Sequence, residues 1–115
     1  MIGQTITPEM VSNINTEAKM AAKTAVANFL NDWNTKTGGN EYGEPMYCGF
    51  AWVNIEVNGA TKLGRLMKKM GIDKRVGNPG GYRGQSMDIR EVGAEKFVEV
   101  MRANNLKAYA YSRAD

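Results

Sequence analysis

Residues 48–115 constrain the fold more than any other part of this chain, because they contain two strands whose residues alternate in character. Successive side chains of a strand point to opposite faces of a sheet. In both strands, at residues 49–57 and 107–113, one face carries small and aliphatic side chains and the other carries aromatic and charged ones. The pattern predicts a sheet with two chemically different faces.

Two helical patterns lie between these strands. Apolar residues at helical spacing predict one short helix that ends at Gly71 and a second helix opened by a capping box at Asp88. Residues 82–87 have the composition of a short middle strand. The order strand, helix, strand, helix, strand predicts right-handed crossovers and at least partly parallel pairing.

The N-terminal part of the chain predicts one long helix. Thr7, Pro8 and Glu9 are a hydroxyl N-cap, a proline at the first helical position and an acid in the first turn. Residues 1–7 are expected to form a loose arm, residues 8–34 the helix, and the glycine-rich residues 35–47 a linker. The helix carries an alanine-rich apolar stripe that ends in Phe29 and Trp33, and it must bury this stripe to be stable.

These elements predict a single α+β domain over residues 1–115. A small three-stranded sheet (β-α-β-α-β) is expected to have its two short helices on the aliphatic face and the long N-terminal helix on the aromatic face. A long helix with an alanine stripe is also compatible with a homodimer formed through that helix.

Composition excludes several classes of function. The chain has 115 residues with no histidine and one cysteine, so histidine-based nucleophile pairs, an intrachain disulfide and a zinc site are not expected. No catalytic set, metal site or cofactor is predicted. No apolar run is long enough to cross a bilayer, and the sequence predicts a cytoplasmic protein. The net charge of +3 is compatible with an anionic partner.

A glycine-rich basic loop at residues 77–85 is the first candidate site. Glycines expose backbone N–H groups that can hold an anion, and Arg83 adds positive charge. The loop matches neither a Walker loop nor the dinucleotide fingerprint, and a plain surface turn explains its composition equally well. The candidate ligand-binding residues are Asn78, Gly80, Gly81, Tyr82, Arg83, Gln85, Tyr111 and Arg113.

The aromatic face of the sheet is the alternative site. Aromatic rings beside Lys and Arg on an open sheet can stack the bases of a single-stranded nucleic acid. The residues of this alternative are Phe50, Trp52, Lys107 and Tyr109. The sequence favours a competing interpretation, in which the N-terminal helix covers this face and turns it into a second core.

Three segments resemble a known group of proteins: residues 49–53 (GFAWV), 85–88 (QSMD) and 108–115 (AYAYSRAD). As a set they resemble small proteins encoded by tailed phages and environmental viral sequences. That group has no assigned function, so the resemblance implies a phage origin and a place in the cytoplasm of an infected bacterium, and it transfers no catalytic residues. Where the group often has a bulkier aromatic Gly-rich loop, this chain has residues 78–82 (NPGGY).

The sequence as a whole therefore predicts a non-enzymatic phage accessory protein that binds a host protein or a small anionic, nucleotide-like ligand. The alternative is a protein that binds single-stranded nucleic acid on the aromatic face. Binding to a membrane is not expected in either case.

Overall fold

The computed structural model describes residues 6–37, 48–84 and 86–114. Its elements in chain order are α1 (Pro8–Thr37), β1 (Gly49–Ile55), α2 (Lys62–Lys69), β2 (Arg75–Gly77), α3 (Met87–Ala103) and β3 (Ala108–Ala114). The α+β class, the three-stranded sheet and the long N-terminal helix are confirmed. Most of the predicted linker, residues 38–47, lies outside the described residues.

The sheet has the strand order β2-β1-β3, and β1 pairs antiparallel with both neighbours. The prediction of partly parallel pairing is therefore wrong. The eight-residue helix α2 spans about 12 Å and does not return the chain along β1, which is about 23 Å long, so β2 begins opposite Asn54 near the end of β1. The 17-residue α3, about 26 Å long, then brings the chain back to the end of β1, and β3 begins opposite Ile55. β2 and β3 do run in the same direction, but β1 lies between them.

The middle strand of the prediction, at residues 82–87, is wrong as well. The chain joins the edge of β1 earlier, at Arg75–Gly77, and Val76 pairs with Val53. A single apolar residue, Val76, between Arg75 and Gly77 is too short a pattern to identify a strand from sequence. In the predicted segment, Ser86 forms only an isolated bridge with Cys48, and its hydroxyl caps α3 by accepting from the Ile89 N–H at 3.4 Å.

The main core lies between the sheet and the helices. Ala51, Val53 and Ile55 of β1 are buried together with Phe97 and Met101 of α3, as the alternation of β1 predicts. The predicted stripe of α1 is buried in the same cluster, through Val11, Ile14, Ala18 and Ala22. Small alanine side chains permit this close contact between α1 and α3.

The position of α1 corrects a central prediction. α1 packs along α3, on the aliphatic side of the sheet, where Val11 and Ile14 share the main core with Ile55 of β1. Because α1 already buries its stripe against α3, it does not need the aromatic face. That face is not a second core, and Phe50 and Tyr111 on it remain 51% and 47% exposed.

Candidate functional site

The aromatic face is the most distinctive exposed surface of the described residues. Strand alternation and the register place one set of side chains on it, which we call the open face: Phe50, Trp52, Asn54, Arg75, Gly77, Tyr109, Tyr111 and Arg113. No helix among the described residues covers it. Three of its rings, those of Phe50, Tyr109 and Tyr111, are among the most exposed large apolar side chains of the described residues.

A stack of three side chains crosses the middle of the open face. Trp52 of β1 and Tyr111 of β3 are directly opposite each other, and their rings stack with centroids 5.9 Å apart and planes 19° apart. The guanidinium carbon of Arg75, on β2, lies 4.8 Å from the centroid of the Trp52 ring. Both contacts reduce the freedom of the Trp52 side chain, so part of the surface is ordered before any ligand arrives.

Two arginines of α3 reach the rim of the same face. Arg90 donates from Nη1 to the Gly49 carbonyl at 3.1 Å and from Nη2 to the Gly84 carbonyl at 2.8 Å, and its guanidinium lies 5.2 Å from the Phe50 ring centroid. Arg102 donates from Nε to the Ala108 carbonyl at 3.0 Å and lies 5.0 Å from the Tyr109 ring centroid. The carbonyl bonds hold both guanidiniums next to an aromatic ring.

The charge of the open face is positive. The strand residues on it include Arg75 and Arg113, and they include no carboxylate. Beyond the strand ends, Lys107 and Glu56 lie opposite each other and are exposed, so this end of the sheet adds one cation and one carboxylate. Cationic groups next to exposed rings can bind phosphate and base of the same nucleotide.

The glycine-rich loop has a different environment. Its Asn78 adopts a left-handed conformation (φ +50°) and donates from Nδ2 to the Tyr82 carbonyl at 2.7 Å, while the Gly81 N–H donates to the Asn78 carbonyl at 3.0 Å. These bonds use loop groups to close a turn. Tyr82 is 8% exposed and belongs to a small second core with Val26 and Ile89.

Gly80 shows why the loop contains glycine. A Cβ at this position would lie 2.6 Å from Cγ2 of Val26 and 3.3 Å from the Cα of Gly93. Gly80 thus lets the loop fit between α1 and α3. Gly93 of α3 takes part in the same close contact.

The structure divides the predicted site residues into two groups. Tyr111 and Arg113 lie on the open face with the alternative set, Phe50, Trp52 and Tyr109. Gly80 and Tyr82 are buried on the helix side of the sheet, and Arg83 is exposed. Gln85 lies outside the described residues.

Sequence reasoning missed three arginines of this surface. Arg75, Arg90 and Arg102 were not among the predicted site residues. The alternation of Arg75, Val76 and Gly77 would have been the one available clue, because it places Arg75 and Gly77 on one face.

Among the residues that the structure describes, no group of three or more acidic, cysteine or histidine side chains could hold a metal ion. In the same ranges, none of the helices is both long and apolar enough to pass through a bilayer. No protein-family model, no curated protein and no solved structure matches this chain. The open face is therefore the feature of this chain that bears most directly on function.

Proposed function

We propose that this protein binds single-stranded nucleic acid on the open face. The observation that supports the proposal is the exposure of Phe50, Tyr109 and Tyr111 beside Arg75 and Arg113 on a sheet face that no described helix covers. Exposed rings on a sheet are costly in water unless a ligand uses them. Nucleic-acid bases suit this surface because each base has a flat face that stacks on an aromatic ring.

The mode of binding follows from the arrangement of the side chains. Bases stack on the exposed rings, and phosphates bind the guanidiniums of Arg75 and Arg113 and the ammonium of Lys107. Stacking does not read the edges of the bases, so the proposal includes little sequence preference. A duplex keeps its bases stacked on one another, so it cannot use the rings and binds more weakly.

The glycine-rich loop offers less support for a site. Gly80 and Tyr82 serve internal packing, and Asn78 is bonded within the turn. Binding of an anionic ligand there stays a prediction, which affinity measurements on Arg83→Ala test. Binding of a host protein also stays a prediction.

The cell in which we propose that the protein acts is inferred from the resemblance to phage proteins. On that basis we propose that the protein acts on single-stranded nucleic acid in the cytoplasm of an infected bacterium. The open face itself carries no information on the source of the chain.

The test is a binding titration with a fluorescein-labelled oligothymidylate of about 12 nucleotides, a length within the usual range of single-strand sites. The wild type and Tyr111→Phe should bind with similar affinity, because both keep the ring. Tyr111→Ala should bind about tenfold more weakly, in line with about 1–3 kcal/mol per stacked base. A duplex of the same length should bind more weakly than the single strand.

Two controls make the result decisive. Met20→Ala truncates a side chain of α1 that is 64% exposed and lies away from the sheet. This variant should bind the oligothymidylate with the wild-type affinity. Far-UV circular dichroism confirms that each variant is folded. Equal affinity of the wild type and Tyr111→Ala would show that binding, if present, does not use the open face and would overturn the proposal.

A further inference from the structure

Strand β3 forms an edge of the sheet that Arg102 covers at Ala108 and that is open from Ala110 onward. It is seven residues long, and every residue after Ala108 is exposed. Natural edge strands are commonly short or carry lysine, proline or a bulge that prevents pairing with another chain. The other edge strand, β2, is protected in this way by its length of three residues. β3 contains neither lysine nor proline, its one charged side chain, Arg113, lies on the open face, and its pairing with β1 is regular along its whole length.

The register shows which backbone groups of β3 face outward. Glu56 donates its N–H to the Lys107 carbonyl at 2.8 Å, so the backbone groups of Lys107 point toward the side of β1. Because these directions alternate in an antiparallel pair, the groups of Ala108, Ala110, Ser112 and Ala114 point away from β1. Arg102 donates a hydrogen bond to the Ala108 carbonyl, which agrees with an orientation of that carbonyl away from β1. The N–H and C=O groups of Ala110 and Ser112 lie at the centre of the free edge.

The same strand is complementary to itself. An antiparallel pair of two β3 strands that overlaps all seven residues has its two-fold axis at the central residue, Tyr111. In that register Ala110 faces Ser112 of the second copy, so their outward backbone groups form the hydrogen bonds of the pair. Tyr111 faces Tyr111 of the second copy, and Tyr109 faces Arg113 of the second copy. These are aromatic and cation–π pairs, and no like charges oppose each other.

We infer that β3 is a dimerisation strand that pairs with β3 of a second copy of this chain. The two sheets then form one continuous sheet in the order β2-β1-β3-β3-β1-β2. Because the two-fold axis is perpendicular to the sheet, both open faces lie on the same side. This inference goes beyond the proposed function and does not rest on it, since the edge would pair whether or not nucleic acid binds.

The dimer differs from the one predicted through α1. In the structure Val11, Ile14, Ala18 and Ala22 of the α1 stripe are buried in the main core, and a dimer through α1 stays a prediction. The free edge of β3, in contrast, has backbone groups without a strand partner among the described residues. A dimer is thus expected at β3.

The experiment compares the mass in solution of the wild type, Ser112→Pro and Ser112→Ala by sedimentation equilibrium over a range of concentrations. Proline at residue 112 removes an outward N–H and leaves the hydrogen bonds to β1 in place. Ser112→Ala keeps that N–H and removes only the hydroxyl, which donates to Glu91 at 3.2 Å. We expect a dimer for the wild type and Ser112→Ala, and a monomer for Ser112→Pro.

Two results would overturn the inference: a wild type that is monomeric at every concentration, or a Ser112→Pro variant that is still a dimer. If Ser112→Pro does not fold, amide hydrogen exchange on the wild type replaces it. The N–H groups of Ala110 and Ser112 should exchange more slowly as the protein concentration rises. Exchange that does not depend on concentration would contradict pairing at this edge.

Discussion

Gly80 and Gly93 bring the loop after β2 into direct contact with α3. A Cβ on Gly93 would lie 3.0 Å from both the Cα and the backbone nitrogen of Gly80. Val26 of α1 lies against the same point, since its Cγ2 would be 3.2 Å from that Cβ. One glycine pair therefore lets α1, α3 and the loop meet, and this contact fixes the loop on the helix side of the sheet.

We predict that Gly80→Ala lowers the free energy of unfolding by about 1–3 kcal/mol, because the added methyl must displace Val26 or α3. The measurement is urea unfolding followed by circular dichroism. The matched control is Gly77→Ala: a Cβ at Gly77 meets no atom within 4 Å, so its effect should stay within about 0.5 kcal/mol.

The double variant Val26→Ala with Gly80→Ala tests the cause. If the Val26 side chain is the obstacle, the double variant loses less stability than the sum of the two single changes. Strictly additive losses would show that the strain of Gly80→Ala arises elsewhere.

Ser86 is the N-cap of α3, whereas the sequence pattern pointed to Asp88. Ser86→Ala should cost about 1 kcal/mol of unfolding free energy, because it removes the acceptor for the Ile89 N–H. Asp88→Ala removes a charge in the first turn but not the cap formed by Ser86, so it should cost about a few tenths of a kcal/mol. Thermal or urea unfolding of both variants checks the order, and a larger loss for Asp88→Ala than for Ser86→Ala would restore the predicted capping box.

Arg113 should bind a phosphate in the nucleic-acid complex. Arg113→Ala should lower the slope of log affinity against log salt by about 0.7, the value for one phosphate contact on a single strand. Arg65→Ala, which removes an exposed arginine of α2, is the charge-matched control and should keep the wild-type slope. The measurement is the oligothymidylate titration at several salt concentrations. A reduction of equal size in both variants would indicate that net charge, and not the open face, sets the affinity.

The fold was predictable where the chain has a strong local pattern. Thr7 caps α1 through its hydroxyl, which accepts from the Met10 N–H at 3.2 Å, as its position before Pro8 predicts. The alternation of β1 correctly identified Ala51, Val53 and Ile55 as core residues. β2 was missed because three residues with one apolar side chain do not form a recognisable period.

The candidate site was predictable only in part. The aromatic residues of the open face were identified, since their alternation with small residues is local. Their exposure to solvent was not predicted, because α1 could bury its stripe on either of two surfaces and sequence spacing does not distinguish them. Arg90 and Arg102 were missed for a similar reason: they reach the strands around the sheet edge, from a helix distant in sequence.

The sequence by itself determined that the sheet has an aliphatic and an aromatic face, because strand geometry sends alternate side chains to opposite sides. The tertiary structure decided which face is covered. The alanine stripe of α1, with Gly80 and Gly93, allows α1 and α3 to pack closely on the aliphatic side. Helix packing energy depends on contacts between distant segments, and those contacts leave Phe50, Tyr109 and Tyr111 exposed to solvent.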